Sequence, residues 1–201
     1  MNTAPGPDGQ LRCHWCLATP QYLAYHDGEW GFPVTDDRRL FEKLCLEGFQ
    51  AGLSWRTILE KRENFRRAFA GFDIDVLAGW GAPEVDRLLQ DAGIVRHRGK
   101  IESVLNNARR AQALVRDEGS LAAWIWRHEP GAGEQAAHQG VTTSPTSIQL
   151  SKALKKRGFS FVGPTTVHAF LQAMGLINDH AEGCVARGPA DAARRALRRP
   201  A

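Results

Sequence analysis

Apolar side chains recur at helical intervals along most of the chain, and this periodicity constrains the fold more than any other feature. Alternation of apolar and polar residues, which would indicate a half-buried strand, forms no run long enough for a sheet. Capping residues stand before two of the apolar runs, at 35–37 and at Ser54. The pattern predicts an all-α fold whose longest helix extends from about His97 to about Val115.

Composition agrees with a folded domain. Hydrophobic residues are 43% and charged residues 24% of the 201 positions, which excludes wholesale disorder, a collagen-like repeat and a disulfide scaffold. We expect residues 12–186 to form the helical domain, with two lobes around one cleft as an option. Residues 1–11 are predicted to be a disordered extension and 187–201 an Arg-rich flexible tail. With no signal-like start and no long apolar run, we expect a cytoplasmic protein without membrane contact.

The positive charge is concentrated in particular segments. The formal net charge is +4, and residues 187–201 alone hold five arginines against one aspartate, so residues 1–186 are neutral overall. A sequence pI of 9.1 therefore says little about a nucleic-acid surface. Two local basic patches remain, and each is read either as a solvated helix face or as a phosphate-binding surface. The patches are Lys152, Lys155, Lys156 and Arg157, and Arg96, Arg98, Lys100, Arg109 and Arg110.

Two cysteines and two histidines near the ends of the domain form a candidate metal site. Cys13 precedes His26 by thirteen positions, and His180 precedes Cys184 by four. Zinc in a structural site takes four such ligands in a tetrahedron. Cys16 leaves a second interpretation open, because Cys13 and Cys16 form a Cys-x-x-Cys pair that can bind metal or act in redox chemistry. Buried thiols and surface histidines are the third interpretation.

Aromatic residues are concentrated in the first 55 positions, close to an isolated carboxylate. Glu47 lies among apolar residues and is followed by two glycines, so its burial requires a cationic or strongly donating partner. Aromatic faces together with one carboxylate suit a flat cationic ligand. The alternatives are an ordinary aromatic core and a salt bridge from Glu47 to an arginine. The aromatic residues are Trp15, Tyr22, Tyr25, Trp30 and Trp55.

Several segments carry a resemblance to a known family. The chain resembles 3-methyladenine DNA glycosylase I, a family of helix-hairpin-helix DNA glycosylases, from about residue 12 to about residue 184. Because so many motifs occur in one order, coincidence is a poor explanation. The segments are RCHW at 12–15, YLAYHDGEWG at 22–31, LEGFQAGLSW at 46–55, DAGIVRHRGKI at 91–101, LSKALKKRGF at 150–159 and NDH at 178–180.

The resemblance implies an activity and a set of site residues. It implies a monomeric repair enzyme that flips 3-methyladenine out of alkylated double-stranded DNA, hydrolyses the N-glycosidic bond without lyase chemistry and releases the free base. Glu47 takes the catalytic role, and the five aromatic residues named above bind the base. The family's structural zinc joins the two ends of the domain. Its ligands would be Cys13, His26, His180 and Cys184.

The resemblance also implies how DNA is held. Residues 161–166 resemble the hairpin between two helices, where backbone N–H groups approach a phosphate. Leu53 is either a wedge that fills the gap left by the flipped nucleotide or a core leucine. The predicted DNA-binding residues are Leu53, Lys152, Lys155, Lys156, Arg157, Gly163 and Thr165.

The chain departs from the family pattern at a few positions. Cys16 is an additional thiol, Phe49 replaces a residue that is often polar and is expected to alter the pocket wall, and the loop at 131–145 looks short. Asp179 is expected to have a structural role beside a zinc ligand. Two rival functions remain: a non-catalytic module that binds damaged or single-stranded DNA, and a redox protein that uses Cys13 and Cys16.

Overall fold

The computed structural model describes residues 2–135 and 140–201, which form a predominantly helical fold, as predicted. None of its helices has the length and apolarity needed to cross a membrane. Short 3-10 turns lie at His14–Ala18 and Ala70–Phe72. The elements are β1 (Thr3–Pro5), β2 (Leu11–Cys13), α1 (Pro20–Gly28), α2 (Asp37–Gln50), α3 (Trp55–Glu60), α4 (Arg62–Ala68), α5 (Ile74–Ala78), α6 (Ala82–Leu89), α7 (Arg98–Glu118), α8 (Leu121–Trp126), α9 (Ala132–Gln135), α10 (Pro145–Lys156), α11 (Pro164–Ala173) and α12 (Arg187–Ala196).

Helix α2 is the centre of the structure. Asp36 caps it by accepting a hydrogen bond from the backbone N–H of Arg39 at 2.8 Å. Every residue from 40 to 49 is buried, and α2 contacts α3, α7, α8 and α11. The helix continues through Gly48, where an added Cβ would lie 3.2 Å from the Cβ of Phe161. Gly48 therefore allows the loop after α10 to pack closely against α2.

The helical pattern that begins at Ser54 is two helices rather than one. The Ser54 hydroxyl accepts from the backbone N–H of Thr57 at 3.2 Å and starts α3. Lys61 separates α3 from α4. The apolar residues keep their helical spacing across this break, which is why the sequence pattern looked like one helix. Aromatic rings from α2, α4 and the following turn form the adjoining core. These are Phe41, Phe49, Phe65, Phe69 and Phe72, with Phe49 and Phe65 centred 4.6 Å apart.

Helix α7 extends slightly beyond the predicted bounds and buries one residue that was expected on the surface. His97 caps it through Nδ1, which accepts from the backbone N–H of Lys100 at 3.2 Å. The ammonium of Lys100 donates to the carbonyls of Phe49 at 2.9 Å and Ala51 at 2.5 Å. Lys100 thus caps the C-terminal end of α2 and is not part of a basic surface patch, because long-range packing carries it inward.

Both ends of the chain have regular structure where we expected disorder. Strand β1 pairs antiparallel with β2, with Thr3 opposite Cys13. At the other end, α12 packs back on the domain, and the buried Arg194 guanidinium donates to the Leu176 carbonyl and to Glu129, each at 3.0 Å. Arginines that look like a free basic tail are thus partly used in internal contacts.

Helices α10 and α11 pack together and enclose the loop at 157–163. The segment 131–145, which we expected to be loop, contains α9 and ends at the first residue of α10. Ser144 caps α10 by accepting from the backbone N–H of Ser147 at 3.1 Å. Residues 136–139 of that segment lie outside the described residues. Pro164 is the first residue of α11, as its fixed φ angle favours.

We expect Gly175→Ala to lower the free energy of unfolding by about 2–4 kcal/mol. Gly175 ends α11 with φ +72°, and an added Cβ would overlap the backbone of Phe32 and Pro33. Urea denaturation measures the change. The matched control is Gly188→Ala in α12, where an added Cβ meets no atom within 4 Å. That variant should be neutral or more stable by up to about 1 kcal/mol, and an equal loss in both variants would contradict the prediction.

Candidate active site and metal cluster

The predicted aromatic residues and Glu47 line one pocket. Its volume is about 220 Å³, below the range of roughly 300–1,000 Å³ typical of drug-sized ligands, so it suits a single flat ring system. Trp15, Tyr22 and Trp55 are partly exposed at the pocket, while Tyr25 and Trp30 are buried. The full lining is Trp15, Tyr22, Tyr25, Trp30, Lys43, Glu47, Gln50, Trp55, Ala169 and Gln172.

The aromatic rings face one another at contact distance. Trp15 lies edge-on to Tyr22 and Trp30, with ring centroids 5.5 and 5.2 Å apart. Tyr25 and Trp55 are centred 5.5 Å apart and tilted by 42°. The buried Nε1 of Trp55 has no hydrogen-bond partner among the described residues. The wall therefore offers aromatic rings to an occupant.

Helix α2 supplies the polar side of the pocket. Lys43, Glu47 and Gln50 are spaced i, i+4 and i+7, which places them on one face of the helix. Of these three residues, only Glu47 was predicted from the sequence. The helical spacing from Glu47 was the signal that could have found the other two. Phe49, which we expected to alter the pocket wall, points instead into the aromatic core, because it lies on another face of α2.

The partner of Glu47 is a lysine and not an arginine. Lys43 Nζ lies 2.7 Å from Glu47 Oε1, and both side chains are at least nine-tenths buried. The same ammonium donates to the Tyr25 hydroxyl at 2.9 Å and lies 3.2 Å from the Trp55 ring centroid. Burial lowers the pKa of Lys43, and the Glu47 carboxylate opposes that shift. Burial also raises the pKa of Tyr25 well above its usual value, which keeps its hydroxyl protonated.

Helix α11 closes the pocket opposite α2. Ala169 and Gln172 line it, and neither was predicted, because an alanine and a glutamine in an apolar helix carry no distinctive pattern. Gln172 Nε2 donates to Asp179 Oδ2 at 2.6 Å. Burial raises the pKa of Asp179 to about 6. Asp179 therefore fixes the orientation of a pocket side chain without itself lining the pocket.

The four candidate metal ligands come together in a buried cluster. One donor atom from each lies within 4.8 Å of every other. His26 Nε2 is 3.1 Å from His180 Nδ1 and 3.5 Å from Cys184 Sγ, and His180 Nδ1 is 4.0 Å from Cys13 Sγ. Donors held by one zinc ion at about 2.0–2.3 Å lie roughly 3.3–3.8 Å apart, and the 3.1–4.0 Å separations of these pairs are close to that range.

Hydrogen bonds on the far side of each imidazole orient the two histidines. His26 Nδ1 lies 2.8 Å from Asp27 Oδ1, and His180 Nε2 lies 2.9 Å from the Trp30 carbonyl. Both outer nitrogens are thus placed to donate, which leaves His26 Nε2 and His180 Nδ1 as lone-pair donors toward the cluster. Burial lowers the pKa of His180 to about 4, so its imidazole is neutral. The residues present therefore fit a metal ion.

The cluster packs directly behind the aromatic wall. Trp15 contacts His26 with ring centroids 5.5 Å apart, and Trp30 contacts His180 at 4.8 Å. Cys13 comes from β2, His26 from α1, and His180 and Cys184 from the segment before α12. The cluster therefore adjoins two of the pocket aromatics, Trp15 and Trp30.

Cys16 is outside this cluster. It is fully buried, and burial raises the pKa of its thiol to about 11 and that of Cys13 to about 12. A redox-active pair requires the opposite, an exposed thiol with a lowered pKa. The environment of both thiols therefore disfavours the redox interpretation.

A groove leads from the pocket toward the loop before α11. It has a volume of about 200 Å³ and shares Glu47, Gln50 and Ala169 with the pocket. Leu53 and Thr165 also line it, and Leu53 is 41% exposed, so it is not a core leucine. Gly163 caps α11 without a side-chain hydrogen bond. The groove thus joins the base-sized pocket to a helix N-terminus.

The basic residues at the C-terminal half of α10 and just after it are not equivalent. Lys152, Lys155 and Lys156 are exposed on α10, and within the described residues no carboxylate lies within 4.0 Å of their ammonium groups. Arg157 instead forms ion pairs with Asp117, at 3.0 Å, and Glu118 of α7. The four residues are close in sequence and were therefore predicted to form one basic patch. Tertiary contacts with α7 neutralise the charge of Arg157.

The chain, which has a helical fold and an aromatic pocket of the size of a base, is similar to known proteins. Residues 15–187 match the methyladenine glycosylase family. The chain is 49% identical over 177 residues to DNA-3-methyladenine glycosylase 1 of Escherichia coli K12, covering 86% of this chain and 95% of that protein. It is 45% identical over 177 residues to DNA-3-methyladenine glycosylase of Haemophilus influenzae Rd, covering 86% and 96%.

A solved structure shows the same fold. The 3-methyladenine DNA glycosylase I of Staphylococcus aureus, whose structure addresses its recognition of 3-methyladenine, aligns with a TM-score of 0.82 at 38% identity and covers 88% of this chain and 96% of that one. The chain belongs to the methyladenine glycosylase family.

Proposed function

We propose that this protein excises 3-methyladenine from alkylated double-stranded DNA by hydrolysing the N-glycosidic bond. The observation that carries the proposal is the pocket, which combines aromatic faces with one buried carboxylate and opens into a groove beside a helix N-terminus. Relatives that cover most of the chain are named for this activity. The enzyme is expected to act as a monomer and to release the free base.

The pocket is suited to a positively charged purine. Methylation at N3 gives the base in DNA a delocalised positive charge, which attracts the electron-rich faces of Trp15, Tyr22 and Trp55. The Glu47 carboxylate accepts N–H donors from the edge of the base and favours its cationic form. Ordinary adenine offers no charge, so it gains less from the same groups. The buried Tyr25 and Trp30 complete the wall and exclude water.

The chemical step needs little help from an acid. The charged base is already a good leaving group, so the bond from C1′ to N9 breaks through an oxocarbenium-like transition state and the base leaves neutral. One carboxylate that stabilises positive charge can replace the paired carboxylates of sugar hydrolases. Glu47 need not activate water for this.

The environment of Lys43 supports hydrolysis without strand cleavage. A lyase step requires a neutral amine that attacks C1′, whereas Lys43 forms an ion pair with Glu47 and donates to Tyr25. A charged ammonium has no free electron pair. We therefore expect intact abasic strands as the DNA product.

We expect Glu47→Gln to slow single-turnover release of 3-methyladenine from methylated duplex DNA by about 100-fold, because a charge-stabilising group is lost. The variant should also be less stable by about 3–5 kcal/mol, since Lys43 stays buried without its partner. The exposed Glu60, paired with Arg56 at 2.7 Å, supplies the matched control Glu60→Gln.

The double variant Glu47→Gln with Lys43→Met separates stability from function. Removing both charges should recover most of the lost stability while excision stays slow. Wild-type excision by a correctly folded double variant would remove Glu47 from the site. The same reactions, analysed before and after alkali, show whether the abasic strand is intact.

We further propose that DNA is held through its phosphates by the exposed lysines of α10 and by the backbone N–H groups of Thr165 and Thr166 at the start of α11. Pro164 supplies no N–H, so these neighbours are the available donors. Leu53, exposed at the groove, is placed to fill the gap left by a flipped nucleotide. Gly163 lets the backbone approach closely.

We expect replacement of Lys152, Lys155 and Lys156 by glutamine to reduce the salt dependence of duplex binding. The slope of log K against log salt should become shallower by about 2–3, since each phosphate contact contributes about 0.9. Fluorescence anisotropy over a salt series measures this. The change should be equal on lesion-containing and lesion-free duplexes, because phosphate contacts read no sequence. An unchanged slope would exclude these lysines from the interface.

We propose zinc as the ion of the Cys13, His26, His180 and Cys184 cluster. Two thiolates and two imidazoles are a typical structural zinc set, and no donor position is left for water or substrate. When bound, the ion would supply a cross-link and no catalysis. Because the pKa of the Cys13 thiol is raised by burial, the ion would also keep that sulfur ionised in the core.

We expect purified protein to contain about one zinc ion per chain and Cys184→Ser to lose it. The loss should lower Tm by about 10 °C or more, at roughly 2–4 °C per kcal/mol. Metal analysis and thermal denaturation measure both effects. Cys16→Ser is the matched control, because Cys16 is equally buried but outside the cluster. If Cys16→Ser lost the zinc and Cys184→Ser kept it, the ligand assignment would be wrong.

A further inference from the structure

The ammonium of Lys43 already makes the interactions that a cation in the pocket would make. Its Nζ lies 2.7 Å from Glu47 Oε1 and 3.2 Å from the centre of the Trp55 ring, and it donates to the Tyr25 hydroxyl at 2.9 Å. A cation–π contact and an ion pair to the pocket carboxylate are thus both taken up by a side chain of the protein itself.

A base and this ammonium cannot use the same face of Trp55 together. Stacked rings approach to about 3.5–4.0 Å between carbon atoms, and the ammonium lies within that layer. An occupant that stacks there and reaches Glu47 must displace Lys43. On this face of Trp55, binding is therefore an exchange of the ammonium for the ligand.

The reaction changes the charge of the occupant. When the bond between C1′ and N9 breaks, its electron pair passes to the purine and cancels the positive charge. A water oxygen forms the new bond to C1′ and its proton goes to solvent. A cationic lesion can replace the ammonium at Glu47, whereas the neutral free base cannot. The favourable exchange on binding becomes unfavourable after hydrolysis.

We propose that Lys43 is an internal competitor that expels the neutral product by returning to Glu47 and Trp55. This inference rests on the proposed function and assigns to Lys43 a specificity and product-release role in the same site. Every occupant must overcome the cost of displacing Lys43. The lesion offsets that cost through its positive charge and its DNA contacts. The released base has neither, so it cannot offset the cost.

The structure offers a position for the displaced ammonium. A void of about 20 Å³, room for about one water molecule, adjoins the pocket and is lined by Lys43, Tyr25 and Trp55. Two carboxylates, Glu29 and Glu42, and three arginines that pair with them also line it, so an ammonium displaced there meets excess positive charge that favours its return to Glu47. The arginines are Arg39, Arg62 and Arg66. The Lys43 side chain lines both the pocket and this void, so its displacement need not unfold α2.

The test is isothermal titration of the folded protein with free 3-methyladenine, in buffer that keeps the base neutral. We expect the Kd to fall about tenfold in Lys43→Met, where no ammonium competes. Lys43→Arg keeps a cation and should not tighten binding. Lys61→Met removes one positive charge outside the pocket, where Lys61 donates to the carbonyls of Ala92 and Gly93, and should bind as the wild type does.

Kinetics give a second readout on DNA. In Lys43→Met the steady-state rate should fall relative to the single-turnover excision rate, because the product stays bound. A merely structural role for Lys43 would weaken product binding and would not produce this ratio. An unchanged or higher Kd in folded Lys43→Met overturns the inference while excision leaves the proposed function intact. Absence of excision by the wild type would instead refute the proposed function.

Wild-type protein supplies a test that needs no variant. Permanently cationic 3,9-dimethyladeninium should bind about tenfold or more tightly than neutral 3-methyladenine, because only the former replaces the ammonium at Glu47. Equal affinities would overturn the exchange, whatever the stability of the Lys43 variants.

Discussion

Burial of charge along α2 is the constraint on which the rest of the structure depends. Residues 40–49 are all buried, yet they include Glu42, Lys43 and Glu47. A lone buried charge costs several kcal/mol, so each needs a partner in a fixed position. Glu42 meets Arg66 of α4 at 2.8 Å, and Lys43 meets Glu47 within the helix. The first pair fixes the packing of α4, and the second gives the pocket a carboxylate held in place before any ligand arrives.

The cluster of Cys13, His26, His180 and Cys184 applies a second constraint from outside the helical core. Cys13 comes from the segment before α1, and His180 and Cys184 come from the segment before α12, so the cluster connects regions far apart in sequence. Trp15 and Trp30 pack against the two histidines, so the geometry of the cluster sets the geometry of the aromatic wall. Under the proposed zinc assignment, loss of metal would therefore affect base binding as well as stability, although the ion contacts no substrate.

Features that depend on residues close in sequence, such as helix caps, could be predicted from the sequence. Asp36 and Ser54 cap helices where the sequence places them, because a cap needs only the next three residues. The burial of Lys100 and the pairing of Arg157 with α7 depend on elements distant in sequence, which no spacing reveals. The cluster was identified from residue types, but only tertiary structure shows that Cys16 is excluded. The i, i+4 spacing from Glu47 could have identified Lys43 as its partner. The same spacing could not have shown that Lys43 lies over the Trp55 ring.

The pairing of Lys43 with Glu47 changes how selectivity is to be understood under the proposed function. An empty pocket with a lone carboxylate would attract any cation, whereas this pair leaves it neutral. Long-range attraction to DNA is then left to exposed basic side chains outside the pocket, such as the lysines of α10, which act on every phosphate and read no lesion. Charged and neutral bases are distinguished only when a flipped base competes with the Lys43 ammonium for its position. The charges that attract DNA are therefore different from the charges that recognise the lesion. Because recognition depends on the charge of the base, tight binding of a charged lesion need not entail tight binding of the neutral base that hydrolysis produces.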